Sequence, residues 1–486
     1  MIFNEPHRPQ LHFSPEANWM NDPNGMVFHN GEYHLFYQYY PDSTVWGPMH
    51  WGHAVSKDMI HWEHLPVALY PDSLGLIFSG SAVVDIDNTS GFGTKENPPM
   101  VAIYTQHLTE AEKAGRTDYQ TQSIAYSLDN GRSWTKYEGN PVIGNPGKKD
   151  FRDPKVLWHS ASSQWIMILA VLDHVEIFGS PDLKSWTLLS EFGAAEGSHG
   201  GVWECPDLFP FTANDQKKWV MLVSLNNGSP NGGSGTQYFV GDFDGKQFIN
   251  DNSPETILWI DHGRDNYAGI TWANVPASDG RRLFIGWMSN WNYAQVVPTS
   301  PWRSAMTLPR EFNLIETNNG LRLTSTFVKE IERLYQGKKE YTRLTAGSTD
   351  LSSEHTREST YQIRMSTAGK ALSDFSFVLS NSKNQSLTLG FDAASNQYYI
   401  DRTQSQQNEF SKDFPGKHTV PRETHSPIHN LVAVIDRSSI ELIADDGLSV
   451  LTEIFFPDEP FSRLKLTTAG SIDSVEVTEL KRIWDK

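Results

Sequence analysis

Three short motifs set a carboxylate close to a proline: Asn21-Asp22-Pro23, Arg152-Asp153-Pro154 and Glu204-Cys205-Pro206-Asp207. Each leads into the same kind of text, a short strand-like stretch, a polar turn and a stronger apolar run (GMVFHNGEYHLFYQ, KVLWHSASSQWIMILAV, LFPFTANDQKKWVMLVSL). If the acids hold equivalent places in a repeat, they converge in space, although 153 − 22 = 131 and 204 − 153 = 51 residues separate them. Carboxyl groups focused on one point amid tryptophans suit cleavage of a glycosidic bond. One protonates the leaving oxygen, a second attacks the anomeric carbon in a retaining reaction, and a third, kept ionised, holds hydroxyls. Neighbours separate their proton affinities: Arg152 is expected to keep Asp153 charged, and Trp203 and Cys205 to give Glu204 an apolar setting that raises its pKa. On this reasoning Glu204 is the acid, and either Asp22 or Asp153 is the nucleophile.

The elements that must position these acids read as an all-β chain. Helical periodicity is almost absent outside Ser325–Tyr335 (STFVKEIERLY), while runs such as YHLFYQYY, WIMILAV, KWVMLVSL and RLFIGWM are bounded by Gly, Asn, Asp and Pro. Repeats of short strands arranged radially make a β-propeller, whose innermost strands line a central channel. A second repeat, Ser56-Lys57-Asp58 before Trp62, Ser127-Leu128-Asp129 before Trp134 and Ser180-Pro181-Asp182 before Trp186, is a turn in which the Asp caps local backbone over a packed Trp. After Arg310 tryptophan vanishes until Trp484, and YQIRMS, FSFVLS, SLTLGF, NLVAVID and SIELIAD read as sandwich strands. The expected organisation is a propeller over residues 1–310, a linker with a short helix over 311–340 and a β-sandwich over 341–486.

Composition narrows the partners. With 40 Lys plus Arg against 58 Asp plus Glu the formal charge is −18, which argues against nucleic acid and anionic membrane surfaces. The single cysteine, Cys205, forbids an intrachain disulfide and a thiolate zinc site. His50, His53, His61 and His64 fall on alternating strand positions with no facing pair, so no metal and no cofactor is expected. The N-terminus has neither a basic n-region nor an apolar h-region, and the compartment is left open. The Gly-rich run Asn226–Gly235 has no Lys or helix to cradle phosphate and reads as a mobile loop at the site's rim; Asp207 reads as a turn acid.

The motifs Trp19-Met20-Asn21-Asp22-Pro23-Asn24-Gly25, Phe151-Arg152-Asp153-Pro154 and Trp203-Glu204-Cys205-Pro206-Asp207 resemble, in order, the three acidic motifs of glycoside hydrolase family 32, the invertases, inulinases and levanases. The likeness extends through GKKDFRDPKV, GSHGGVWECPDLF, GWMSNW and PTSPWRSAMTLPREF, and is strongest to levanase-type fructan β-fructosidases of bacteria and to exo-inulinases. It implies a five-bladed propeller followed by a sandwich, and a retaining release of terminal β-fructofuranosyl units from sucrose or fructans. The roles it implies are Asp22 as nucleophile, Glu204 as acid and then base, and Asp153 as stabiliser of the transition state. It further implies a fructose pocket in which Asn21 and Gln38 bond hydroxyls, Trp46 forms a wall, Phe78 and Ser79 shape it and Arg152 holds Asp153. Asp265, Trp287 and Trp291 are expected at the same pocket, with a more polar rim where Asn266 stands in place of the aromatic usual before Tyr267.

Three alternatives compete. A transfructosylase of the same fold would differ only in the acceptor that resolves the fructosyl-enzyme. A sialidase would need an arginine cluster and a Tyr nucleophile that the acidic motifs lack. A sugar-binding propeller without catalysis would have no use for Asp22 and Glu204. The sandwich, which holds no assignable acid cluster, is expected to bury the propeller's flank and offers a surface for a homodimer, as in some family members.

Overall fold

Gln164–Val171 (QWIMILAV) shows why apolar runs in this chain make strands rather than helices. Successive side chains of a strand point to opposite faces, and here both faces are covered. Trp165, Met167, Leu169 and Val171 pack with Val83, Val101 and Ile103 of the preceding sheet, while Ile166 and Ile168 pack with Met221 and Val223 of the following one. Each such side chain removed from water contributes about 1.5–3 kcal/mol.

The computed structural model of the chain describes residues 3–213, 216–368, 371–406, 410–423, 426 and 428–484. Among them the strands form seven sheets, and the chain is all-β. Five sheets of four or five strands come first; they begin with Asn18–His29, Leu76–Val84, Phe151–His159, Trp203–Ala213 and Tyr267–Thr271. These five initial strands touch in cyclic order around a common axis. The ring is fastened where Trp302–Arg303 pairs in parallel with Asn18 and Trp19.

Every initial strand is irregular at the same level. Its register with the second strand slips between Met20 and Pro23, between Ile77 and Gly80, opposite the interval Ile168–Ala170, between Glu204 and Asp207, and between Tyr267 and Ile270. Such bulges re-aim a side chain out of the ladder. Asp153, Cys205 and Ala268 at these slips have φ of 64°, 44° and 53°, a conformation non-glycine residues seldom adopt.

The segment expected to be a linker is instead mostly strand. Arg310–Thr317 and Gly320–Phe327 form a hairpin on the fifth sheet, closed by Asn318-Asn319 ahead of Gly320, and only Lys329–Leu334 is helical, as a short 3-10 turn. The hydrophobic pattern of LRLTSTF has period 2, and the Asn-Gly pair is a hairpin signal. Two six-stranded sheets follow, packed face to face as a sandwich over a shared core that includes Ile363, Phe377, Leu389, Leu431 and Leu466.

Buried ionic networks join the sandwich to the ring. Arg310 bonds Asp261 (3.1 Å) on one side and Glu441 (2.5 Å) on the other, with Thr452 Oγ1 at 2.6 Å. His12 places Nδ1 2.7 Å from Asp436 and Nε2 2.8 Å from Glu441. Burial opposes a charge on this ring, yet the two carboxylates outweigh it and push its pKa up to about 9. The Gly-rich run is held here too, by Asn231 donating to the carbonyls of His262 (2.6 Å) and Thr419 (2.9 Å), so it is a fastened joint rather than a loose rim. Because Arg310 is the shared counter-ion of two buried acids, Arg310→Leu should lower the unfolding free energy by about 3–5 kcal/mol, measured as a fall in urea midpoint at pH 7. A loss below about 1 kcal/mol would mean the acids find other partners.

Candidate active site

A cavity of about 300 Å³ opens at one end of the axis and is lined by Asn21, Asp22, Gln38, Trp46, Phe78, Ser79, Arg152, Asp153, Glu204 and Trp291. The three acids come from the bulged levels of the first, third and fourth initial strands. Asp22 accepts hydrogen bonds from Ser79 Oγ (2.7 Å) and Asn21 Nδ2 (3.1 Å), and Asn21 is itself fixed by Trp19 Nε1 at 2.7 Å. Asp153 Oδ2 accepts the Cys205 amide at 3.0 Å. The Cys205 thiol lies 3.5 Å from Asp22 and 3.6 Å from Asp153, so a single sulfur bridges two carboxyl groups. Glu204 is held at both oxygens: Arg152 Nη2 donates to Oε1 at 3.1 Å, and the Tyr267 hydroxyl donates to Oε2.

The charge balance differs from the one expected. Arg152 is committed to Asp150 (2.7 Å) and Glu204 (3.1 Å) and stays 3.9 Å from Asp153. Burial therefore dominates at Asp153; Arg152 pulls its pKa down, Glu204 and Asp22 push it up, and it settles at about 7. Burial and the Glu204 charge also raise Asp22, against the bonds from Ser79, Asn21 and Cys205. The apolar surroundings expected of Glu204 belong to the other face of its strand, where Trp203 is fully buried against Phe239. On its own face Glu204 meets Arg152 and Tyr267.

The other residues divide. Trp46, 38% exposed, stands edge-on to Phe78, which stacks on His107 at 4.3 Å, and Trp291 stacks on Trp19 at 6.0 Å. Gln38 Nε2 is buried with no hydrogen-bond partner among the described residues, leaving a donor for a ligand. Trp287 does not line the cavity: it is fully buried behind Trp291, 4.9 Å away. Asp265 is not at the cavity either. It bonds Tyr293 (2.6 Å), Arg402 (2.7 Å) and the Ile454 amide (3.0 Å) at the junction with the sandwich. Two strand positions separate it from Tyr267, but the chain enters its strand only at Tyr267, so Asp265 lies outside the ring's inner level. Asn266 is buried on Asp261 (3.1 Å) and gives the rim no polarity.

Sequence reasoning missed Tyr267, Thr105, Gln120, Asp150 and the pair His107–Glu112 (3.2 Å), all at or beside the cavity. Tyr267 opens the slipped interval of the fifth initial strand just as Glu204 opens that of the fourth, but no carboxylate–proline motif marks it in the sequence.

Carboxyl groups able to give and take a proton in a sugar-sized cavity, mounted on a ring of antiparallel sheets, are the equipment of a glycoside hydrolase. The chain matches the glycosyl hydrolases family 32 N-terminal domain over residues 12–325 and the family's C-terminal domain over 330–484. It belongs to that family. It is 50% identical to the levanase of Bacillus subtilis (strain 168) over 492 residues, covering 99% of this chain and 72% of that protein. It is 40% identical to the extracellular exo-inulinase of Aspergillus ficuum over 524 residues, covering 99% and 96%. The crystal structure of exo-inulinase from Aspergillus awamori superposes with a TM-score of 0.90 at 36% identity over 100% of both chains. The β-fructofuranosidase from Schwanniomyces occidentalis complexed with fructosyl-erythritol gives 0.89 at 34% over 99% of both.

A carboxyl whose pKa is raised on folding holds an extra proton in the native state, so its contribution to stability is full below about 4 and is lost as pH climbs through about 7. Asp153→Asn removes that loss. The melting temperature of the variant should exceed that of the parent by a margin that grows from pH 4 to pH 8; a margin that is constant or shrinks would refute the raised pKa.

Proposed function

We propose that the chain is a retaining, exo-acting β-fructosidase that removes terminal β-D-fructofuranosyl residues from sucrose and fructans. The observation that carries this reading is the unequal treatment of the acids in one small cavity: Glu204 is braced by Arg152 and Tyr267, whereas Asp22 meets only the neutral donors Ser79, Asn21 and Cys205. Glu204 gives its proton to the leaving oxygen, and Arg152 and Tyr267 stabilise the carboxylate that results. Asp22 attacks C2 of the fructosyl unit as the bond to that oxygen breaks. Glu204 then takes a proton from water, whose oxygen displaces Asp22 and yields fructose with retained configuration. Asp153, whose pKa burial raises, exchanges hydrogen bonds with ring hydroxyls, and Asn21 and Gln38 add an acceptor and a donor. Trp46 and Trp291 offer flat faces to the CH side of the sugar.

Exo action follows from size. About 300 Å³ suits one terminal sugar unit with its neighbour at the mouth, and beneath Ser79 and Asp153 the axis narrows to a cavity of about 10 Å³, room for one water. The named relatives, a levanase and an exo-inulinase, point to levan and inulin as substrates beside sucrose.

For the scaffold we read the five ringed sheets as a five-bladed propeller and place its end near Val328 rather than at residue 310, since the hairpin Arg310–Phe327 pairs with the fifth sheet.

Fructose release from sucrose, inulin and levan tests the reading. All three should yield free fructose, and glucose and fructose from sucrose without any fructan cleavage would restrict the activity to an invertase. Glu204→Ala should lower kcat by about 10²–10⁴-fold, with azide restoring turnover as a fructosyl azide of retained configuration. Asp22→Ala should abolish turnover at normal stability; substantial remaining activity would mean that another group is the nucleophile.

A further inference from the structure

The opposite end of the axis carries a second, larger cavity, of about 440 Å³, which shares no lining residue with the first. Between them lies only the 10 Å³ constriction, bounded on this side by Lys155. Its inner end is a saturated ion pair. Asp207 accepts Lys155 Nζ (3.1 Å), the Leu208 amide (2.8 Å) and the amide and hydroxyl of Thr271 (2.6 and 2.8 Å), so it is no turn acid. Asp85, also on the wall, is likewise committed to Thr89 and Ser90.

Arg282 is different. It lines this cavity, yet no hydrogen bond joins its guanidinium to any described residue, and its Nε is out of contact with solvent. The Phe209 ring centroid lies 5.2 Å from its guanidinium carbon. Burial pulls its pKa down and Asp207 only partly offsets this. A half-buried guanidinium with unspent donors is costly and calls for an anion. The cavity's lining also includes three further aromatics, Trp158, 37% exposed, Trp165 and Trp219. At the mouth, Lys217 lies 4.7 Å over Trp219, and Asp87 is exposed on the same rim.

We propose that this cavity binds a small ligand made of a flat apolar ring and one carboxylate or phosphate group, with the anion on the Arg282 fork and the ring against Trp158 and Trp219. Neutral sugars are poor candidates, because they would leave the guanidinium uncompensated. The Arg282 donors match two oxygens of either anion, and the volume admits a single ring with its substituent.

Isothermal titration of the full chain with benzoate, phenyl phosphate and neutral benzamide tests this. At least one anion should bind one to one at about millimolar Kd or tighter, and whichever binds better identifies the anion class. Benzamide should bind about tenfold more weakly or not at all, and Arg282→Gln should weaken the anion about tenfold or more while fructose release from sucrose is unchanged. Ile86, 64% exposed at the rim, supplies a variant with little bearing on folding: Ile86→Asp should also weaken the anion, with a larger effect at low salt. Absence of binding by both anions, or binding that neither variant alters, would overturn the proposal.

Discussion

Three carboxyl groups that repel one another have to stand together in one small cavity, and the rest of the molecule is arranged around that demand. Left in a regular ladder, each would share its strand's alternation and point with its neighbours into a packed sheet face. The slip at the same level of these strands takes Asp22 and Asp153 out of the ladder and bends the strand directly after Glu204, and all three line the cavity. Among the described residues lining the cavity, one permanent cation, Arg152, serves these acids, and it is spent on Glu204 and Asp150. The remaining charge is moderated by neutral donors and by protons the buried acids retain.

Holding strained, like-charged groups requires a surround that does not give. The double-sided packing of each sheet provides it, with Trp19 and Trp203 on the inner strands, and Trp51, Trp272 and Trp287, all fully buried. The sandwich adds a second clamp. Arg310, Asp261, Glu441 and His12 form one network across the junction, and Arg402, Asp265, Glu453 and His418 form another. Both tie the ring, or the segments leading into it, to the sandwich, which braces the ring at the place where the chain closes it.

Much of this is legible in the sequence. The carboxylate–proline repeats located the acids, the strand–turn–strand text around them revealed a radial array, and the Ser-x-Asp turns behaved as local caps: Asp58, Asp129 and Asp182 each accept backbone amides two to four residues on. What remained hidden depends on which face a side chain takes and on contacts remote in sequence. Trp203 beside Glu204 suggested an apolar setting, but adjacent strand residues face opposite ways. Asp265 looked like a site acid by its motif, and partners remote in sequence, Tyr293, Arg402 and the Ile454 amide, explain its burial. The hairpin at 311–327 was masked by the helix-like text that follows it. Of the tryptophans near the motifs, Trp46 and Trp291 reach the cavity and Trp19, Trp203 and Trp287 support it.

The constriction beneath Ser79 and Asp153 bears on how a polymer would be consumed. A tunnel open at both ends can feed a chain through and discharge its product behind, keeping hold of the polymer between cuts. Here the floor admits no more than a water, so a released monosaccharide and the next chain end must use the same mouth. The shortened polymer has to withdraw before the sugar can depart, and each cut becomes a separate encounter, with a mixture of chains eroding together from their ends rather than one being digested to completion before the next.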